Sequence, residues 1–191
     1  MIRLIRQLVL PLISCLMLTT AQAGWNPFDN EKAGNQGVGD NEISSTIAKF
    51  KNKDPDLKVF FSKAHGYAVF PTVAKGGIGI GGAYGEGKLY EKGSYAGKTS
   101  LAQITIGLQL GGQAYSEIIF FKDQSAINRF KEGSFELNAQ ASAVAVTSGA
   151  SADADYSDGV AVFTMAKGGL MYEASVGGQK FSYTPRPNKQ K

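Results

Sequence analysis

Between Gln103 and Leu110 every second residue is aliphatic. Ile104, Ile106, Leu108 and Leu110 share one face of an extended chain; Gln103, Thr105, Gly107 and Gln109 share the other. A two-residue period does not fit a helix and predicts a strand. Tyr115 to Phe121 is a second β-rich run. Ala139, Ala141, Ala143 and Ala145 alternate with Gln140, Ser142, Val144 and Val146. An all-Ala face lets a helix or second sheet pack close. Gly159 to Thr164, Gly169 to Val176 and Lys180 to Tyr183 complete the strand set. The connections are too short for the helical crossovers of a parallel sheet, so an antiparallel sheet is predicted.

Helices are predicted ahead of the strands. Ile43, Ile47 and Phe50 fall at i, i+4 and i+7, with Asp40 or Asn41 as the cap. Asp54-Pro55 restarts the chain, with Asp as N-cap and Pro at the first helical position. Leu57, Phe60, Phe61 and Ala64 form the second stripe, and Gly66 is expected to end it in the left-handed conformation. Asp123 to Lys131 reads as one internal helix with Ala126, Ile127 and Phe130 on its apolar side.

Ala74-Lys75-Gly76-Gly77 recurs as Ala166-Lys167-Gly168-Gly169, and at the same offset Gly85 maps to Gly177 and Lys88 to Lys180. Each copy reads strand, Lys-Gly-Gly, strand, glycine turn, strand. Two related β units are expected, too few for a solenoid. Gly77-x-Gly79-x-x-Gly82 matches a dinucleotide pattern, but no helical stripe follows to aim N–H groups at a pyrophosphate. Nucleotide binding is set aside on that ground.

Residues 1–23 read as a secretory signal. Arg3 and Arg6 precede an apolar run from Leu8 to Leu18, and Ala21-Gln22-Ala23 places small residues at a cleavage site. The run is far short of the roughly 20 residues that span a bilayer. Leu12-Ile13-Ser14-Cys15 offers a second cleavage that would leave a lipidated Cys15, but Leu16-Met17-Leu18 stays apolar, so cleavage after Ala23 is preferred. An exported, periplasmic chain is expected, with a membrane-anchored lipoprotein through Cys15 as the alternative. Residues 24–40 are Gly/Asn-rich and read as a flexible lead-in carrying Trp25 and Phe28. Cys15 is the only cysteine, so the exported part carries no disulfide framework and no Cys-based zinc site or nucleophile. Losing Arg3 and Arg6 leaves 18 basic against 16 acidic residues, a net of +2. That is too mild for nucleic-acid binding.

Few residues point to catalysis. His65 is the sole histidine and follows a predicted helix, where it can meet free carbonyls. No nucleophile, base and orienting group stand together in the pattern, although paired carboxylates are spatial and leave an enzyme as a third reading. Asp153, Asp155 and Asp158-Gly159 loosely resemble a calcium loop, but the third Asp is one place late and Thr164 stands where a Glu is needed. Lys49, Lys51, Lys53, Lys58 and Lys63 form the densest basic run, among Ile47, Phe50, Phe60 and Phe61. Such a mixture suits an anionic membrane surface. On pattern alone the better reading is an ordinary surface helix whose apolar face packs on the sheet, because Asp54 and Asp56 dilute the charge.

Ala64-His65-Gly66-Tyr67-Ala68-Val69-Phe70-Pro71, then Lys75 to Gly82 and Gly85-Glu86-Gly87, resembles the opening of the SYLF domain. Gly107 to Gln113 with the Tyr115–Phe121 run, and Lys167 to Met171 through Gly177-Gly178, resemble its later motifs. The likeness covers residues 42–183 and points to the bacterial exported branch. It implies lipid binding through a basic, amphipathic N-terminal helical region, here the positions around Lys49 to Lys63. The site residues it implies are Lys49, Lys51, Lys53, Lys58 and Lys63 for headgroups, with Phe50 or Phe60 for acyl chains. Eukaryotic members are linked to actin, a partner not expected for an exported chain. Gly93-Ser94-Tyr95-Ala96-Gly97 replaces the Trp-Ser-Pro stretch of many relatives, so phosphoinositide specificity does not carry over.

The expected protein is α+β: a mainly antiparallel, barrel-like sheet with N-terminal helices and one internal helix. Its SYLF-like domain spans 41–185, followed by a tail at 186–191. Its expected function is non-catalytic binding of anionic lipid or a membrane surface at the bacterial envelope, with no cofactor and no metal. The alternative is a structural or protein-interaction module.

Overall fold

The computed structural model describes residues 37–133, 136–137, 143–176 and 178–187. The expected signal, Cys15, Trp25 and Phe28, and the alanines at 139 and 141, lie outside these residues.

The elements run α1 (Asp40–Lys53), a 3-10 turn (Pro55–Leu57), α2 (Lys58–Lys63), β1 (Gly66–Glu91), β2 (Ser94–Phe121), α3 (Gln124–Lys131), β3 (Glu136–Leu137), β4 (Val144–Ala145), β5 (Val160–Val176) and β6 (Gln179–Pro185). The fold is α+β, as expected. The sheet is not closed into a barrel, which corrects the barrel-like expectation: the ordered path ends on β3 and β4, two strands of two residues each. Pairing is antiparallel except for β4, which lies parallel to β5.

β2 organises the sheet. β1 pairs along one side of it, from Gly66 opposite Phe121 to Glu91 opposite Ser94. β5 and then β6 follow one another along the other side, from Val160 opposite Phe121 to Pro185 opposite Gly97. The two copies of the internal echo are therefore the two flanks of β2. Lys75 and Gly169 both face Gln113, one from each side. Neither Lys-Gly-Gly is a turn between strands; both run within strands, because pairing to β2 holds them extended.

The β1–β2 ribbon doubles back on itself near Gly79, whose φ of 72° is open to glycine at little cost. A Cβ on Gly77 would overlap Gly81, one on Gly85 would lie 2.9 Å from Thr72 O, and one on Gly87 would overlap Val69 O. At the open end Lys92 N donates to His65 O at 2.9 Å. Gly66 does not end a helix in the left-handed region. It begins β1, and it is glycine because a Cβ would lie 2.5 Å from Tyr90 O.

Alternation then buries both faces of the first half of the ribbon. Ala68, Phe70, Ile119 and Phe121 point inward, where Leu89, Leu101 and Phe181 meet them and Ala126, Ile127 and Phe130 of α3 close the layer. Val69, Ile118, Phe120 and Phe163 point outward and are covered by Ile43, Phe50, Leu57 and Phe60 of the N-terminal helical segment. Of the three helix starts predicted at Asp residues, those at Asp54 and Asp123 are seen as caps. Asp123 caps α3 by accepting from Ala126 N at 2.9 Å. Asp54 caps the 3-10 turn by accepting from Asp56 N, and reaches further to accept from Ser151 N at 2.7 Å and Gly149 N at 3.3 Å. The cap of α1 is Gly39, and Asp40 is already helical.

Candidate functional site

The helical period sorts the basic run. Lys49 and Lys53 are four residues apart and share a face of α1. Lys51, between them, turns to the other side and lies with its Nζ 4.3 Å from the Phe61 ring centroid. The chain accordingly builds two basic grooves, not one continuous patch.

The first groove, about 560 Å³, lies between α1 and β5, with Lys49, Lys53 and Lys167 at its walls and Thr46, Ser116 and Met165 among the rest of its lining. No carboxylate lines it. Lys49 and Lys53 are exposed, and among the described residues neither forms an ion pair. Lys167 is steered by neutral oxygens: it donates to Thr72 Oγ1 at 2.6 Å and to Pro71 O at 3.3 Å. Its positive charge is thereby positioned but not neutralised. Ser116 Oγ also donates to Pro71 O, at 2.6 Å, fixing the strand that carries the floor.

The second groove, about 570 Å³, lies between α2 and the turn joining β1 to β2. Lys51, Lys63 and Lys92 line it with Phe61, His65 and Tyr67. Lys92 has a φ of 47°, unusual for a residue with a side chain, at the first position of the two-residue Lys92-Gly93 turn. His65 Nε2 donates to Gln124 Oε1 at 2.8 Å, so the ring ties the end of α2 to the start of α3.

Lys58 is exposed on α2 and lines neither groove. Phe50 and Phe60 are 0% and 7% exposed, and both belong to the outer core. Phe60 meets Phe163 edge-on with centroids 4.9 Å apart. The expectation that these rings reach acyl chains is therefore corrected: seating the short helices on the sheet consumes their apolar stripe.

Lys167 was missed because it lies in a glycine-rich strand far from the basic run. The echo of Lys75-Gly76-Gly77 was the signal that could have marked it. The carboxylates at Asp153, Asp155 and Asp158 are all exposed, and Asp158 Oδ1 lies 3.5 Å from Arg129. Among the described residues no three His, Cys, Asp or Glu side chains gather as a metal site. No helix among them is long and apolar enough to cross a membrane.

The α1–β5 site is thus a cation-walled groove between a helix and the sheet. Residues 102–190 match the family model described as Ysc84, Las17-binding protein actin regulator. That match runs from the middle of β2 almost to the C-terminus. Beta cell expansion factor A from Aeromonas veronii is 27% identical over 169 residues, 86% of this chain and 64% of that protein. The match over these residues supports a lipid- or protein-interaction domain.

Proposed function

We propose that this chain is a non-catalytic module of the bacterial envelope that binds anionic lipid, with the groove between α1 and β5 receiving headgroups. The observation that carries the reading is the convergence of Lys49, Lys53 and Lys167 on one groove without a lining carboxylate. Each lysine held near an anionic bilayer contributes about 1 kcal/mol, so three acting together give useful but salt-sensitive attraction. Residues 1–23, read as an export signal, would deliver the domain to that surface.

Cosedimentation of residues 24–191 with vesicles tests this. Capture is expected on vesicles containing an anionic phospholipid and not on phosphatidylcholine alone. Equal capture on both, or capture unchanged in Lys49→Glu/Lys53→Glu, contradicts the reading. A protein partner crosslinked at the same lysines, with vesicles inert, would favour the protein-interaction alternative.

A further inference from the structure

The strict alternation in β2 hides a reversal of the usual order. Thr105 is 1% exposed, whereas Ile104 and Ile106 are 72% and 64% exposed. Ile80 lies opposite Ile106, and Ile78 opposite Leu110. These three are 68%, 80% and 61% exposed. Five large aliphatic side chains thus stand in solvent together at the place where the ribbon doubles back around Gly79. Scattered exposed aliphatics are ordinary; a contiguous group is not.

We infer that the fold of the β1–β2 ribbon is a hydrocarbon-contacting edge that enters the interfacial layer of a lipid bilayer. This rests on the membrane reading above and adds the apolar half of the contact.

Three observations favour lipid as the occupant. The patch is purely aliphatic, whereas protein hot spots favour Trp, Tyr and Arg. Its charges are sparse and mostly basic. Residues 75–82 of β1 and 103–113 of β2 contain one charged residue, Lys75, and the adjoining stretch of β5 adds Lys167 and Glu173. Lys75 precedes Ile78 by three residues, about 10 Å along a strand, which is a headgroup's distance from an inserted side chain. Finally, Lys167 of the headgroup groove lies on β5 beside Ala114 and Tyr115, a few residues along β2 from Leu110, so the cationic groove and the apolar patch lie on successive stretches of the same strands. Tyr84, 54% exposed beyond Gly82, stands where an interfacial aromatic ring is favoured.

The chain has one tryptophan, Trp25, so a Trp25→Phe background gives a silent reference. Ile80→Trp and Ile104→Trp each place a probe in the patch; Val59→Trp places one on α2. With vesicles of anionic phospholipid carrying brominated acyl chains, the two patch probes are expected to shift to the blue and lose emission, and the α2 probe is not. In parallel, Ile78→Ser/Ile106→Ser is expected to keep capture at low salt and lose it at ~1 M salt, where the Debye length is ~3 Å. Vesicle capture with unquenched patch probes overturns the inference while the headgroup reading stands. No capture of the unsubstituted chain by any vesicle overturns both. A blue shift that grows with protein concentration without vesicles overturns it in favour of a second copy covering the patch.

Discussion

Gln179 Nε2 donates to Glu117 Oε2 at 3.1 Å, although Glu117 lies on β2 far along the strand from Gln103, the residue that Gln179 pairs with. The doubling of the ribbon brings them together. Glu117 is fully buried, and burial pushes its carboxyl up to about 7 against the opposing effect of the Gln179 hydrogen bond. Glu117 Oε1 and Gln179 Oε1 have no hydrogen-bond partner, and protonation of Glu117 supplies the donor such oxygens need.

The pH consequence follows from that raised value. The folded state holds the Glu117 proton more tightly than the unfolded chain, whose carboxyl titrates near 4.5. This contribution to stability is complete below about pH 4.5 and is lost as pH rises toward and through 7. The span corresponds to at most about 3 kcal/mol. Glu117→Gln, which mimics the protonated acid, is expected to flatten the loss. Urea denaturation from pH 4.5 to 8 measures it: the variant's advantage should grow across that window, and a constant difference would contradict the assignment.

Asp54 titrates in the opposite sense. Burial raises its carboxyl, but hydrogen bonds from Ser151 and from the Asp56 and Gly149 amides outweigh that and hold it below 3.8. Its contribution is present above that value and fades as pH falls through the lowered one. Asp54→Ala leaves three amides short of their acceptor and is expected to cost about 1–3 kcal/mol. Hydrogen exchange should quicken at Gly149 and Ser151 in particular.

The close approach within β1 gives a packing test. Gly87→Ala drives a Cβ into Val69 O and the Phe70 ring. Overpacking of this kind costs typically about 1–3 kcal/mol. Gly168→Ala meets nothing within 4 Å and should leave the denaturation midpoint nearly unchanged. Equal effects at both positions would contradict a doubled ribbon.

The parts legible in the sequence were those decided by neighbours. Asp123 with Ala126, Ile127 and Phe130 specified α3, and Asp54-Pro55 specified a helical restart, because caps and stripes act over a few residues. Period two identified β2 around Ile104 and Ile106, but period alone does not say which face is buried. Here the fold encloses Thr105 instead. The reversal at Gly79 depends on Gly85 and Gly87 meeting Thr72 and Val69, contacts no local pattern displays. The basic run was visible, while its division was only latent: Lys49 and Lys53 share a face at i, i+4, and Lys51 cannot join them.

That division supplies the sharpest comparison between grooves. Lys51→Glu/Lys63→Glu changes charge as much as Lys49→Glu/Lys53→Glu does, so any effect of net charge alone is common to both. Vesicle affinity should fall much further for the α1–β5 groove pair, and the slope of its salt dependence should flatten.

The most direct measurement is therefore the salt-dependent affinity of residues 24–191 for anionic vesicles, with Lys167→Glu beside the unsubstituted chain. Lys167 lies outside the basic helical run and joins it only in the folded groove. The account predicts saturable binding that weakens with salt and a marked loss on Lys167→Glu. Undiminished binding by that variant, with Lys49→Glu/Lys53→Glu impaired, would contradict a groove built jointly by α1 and β5.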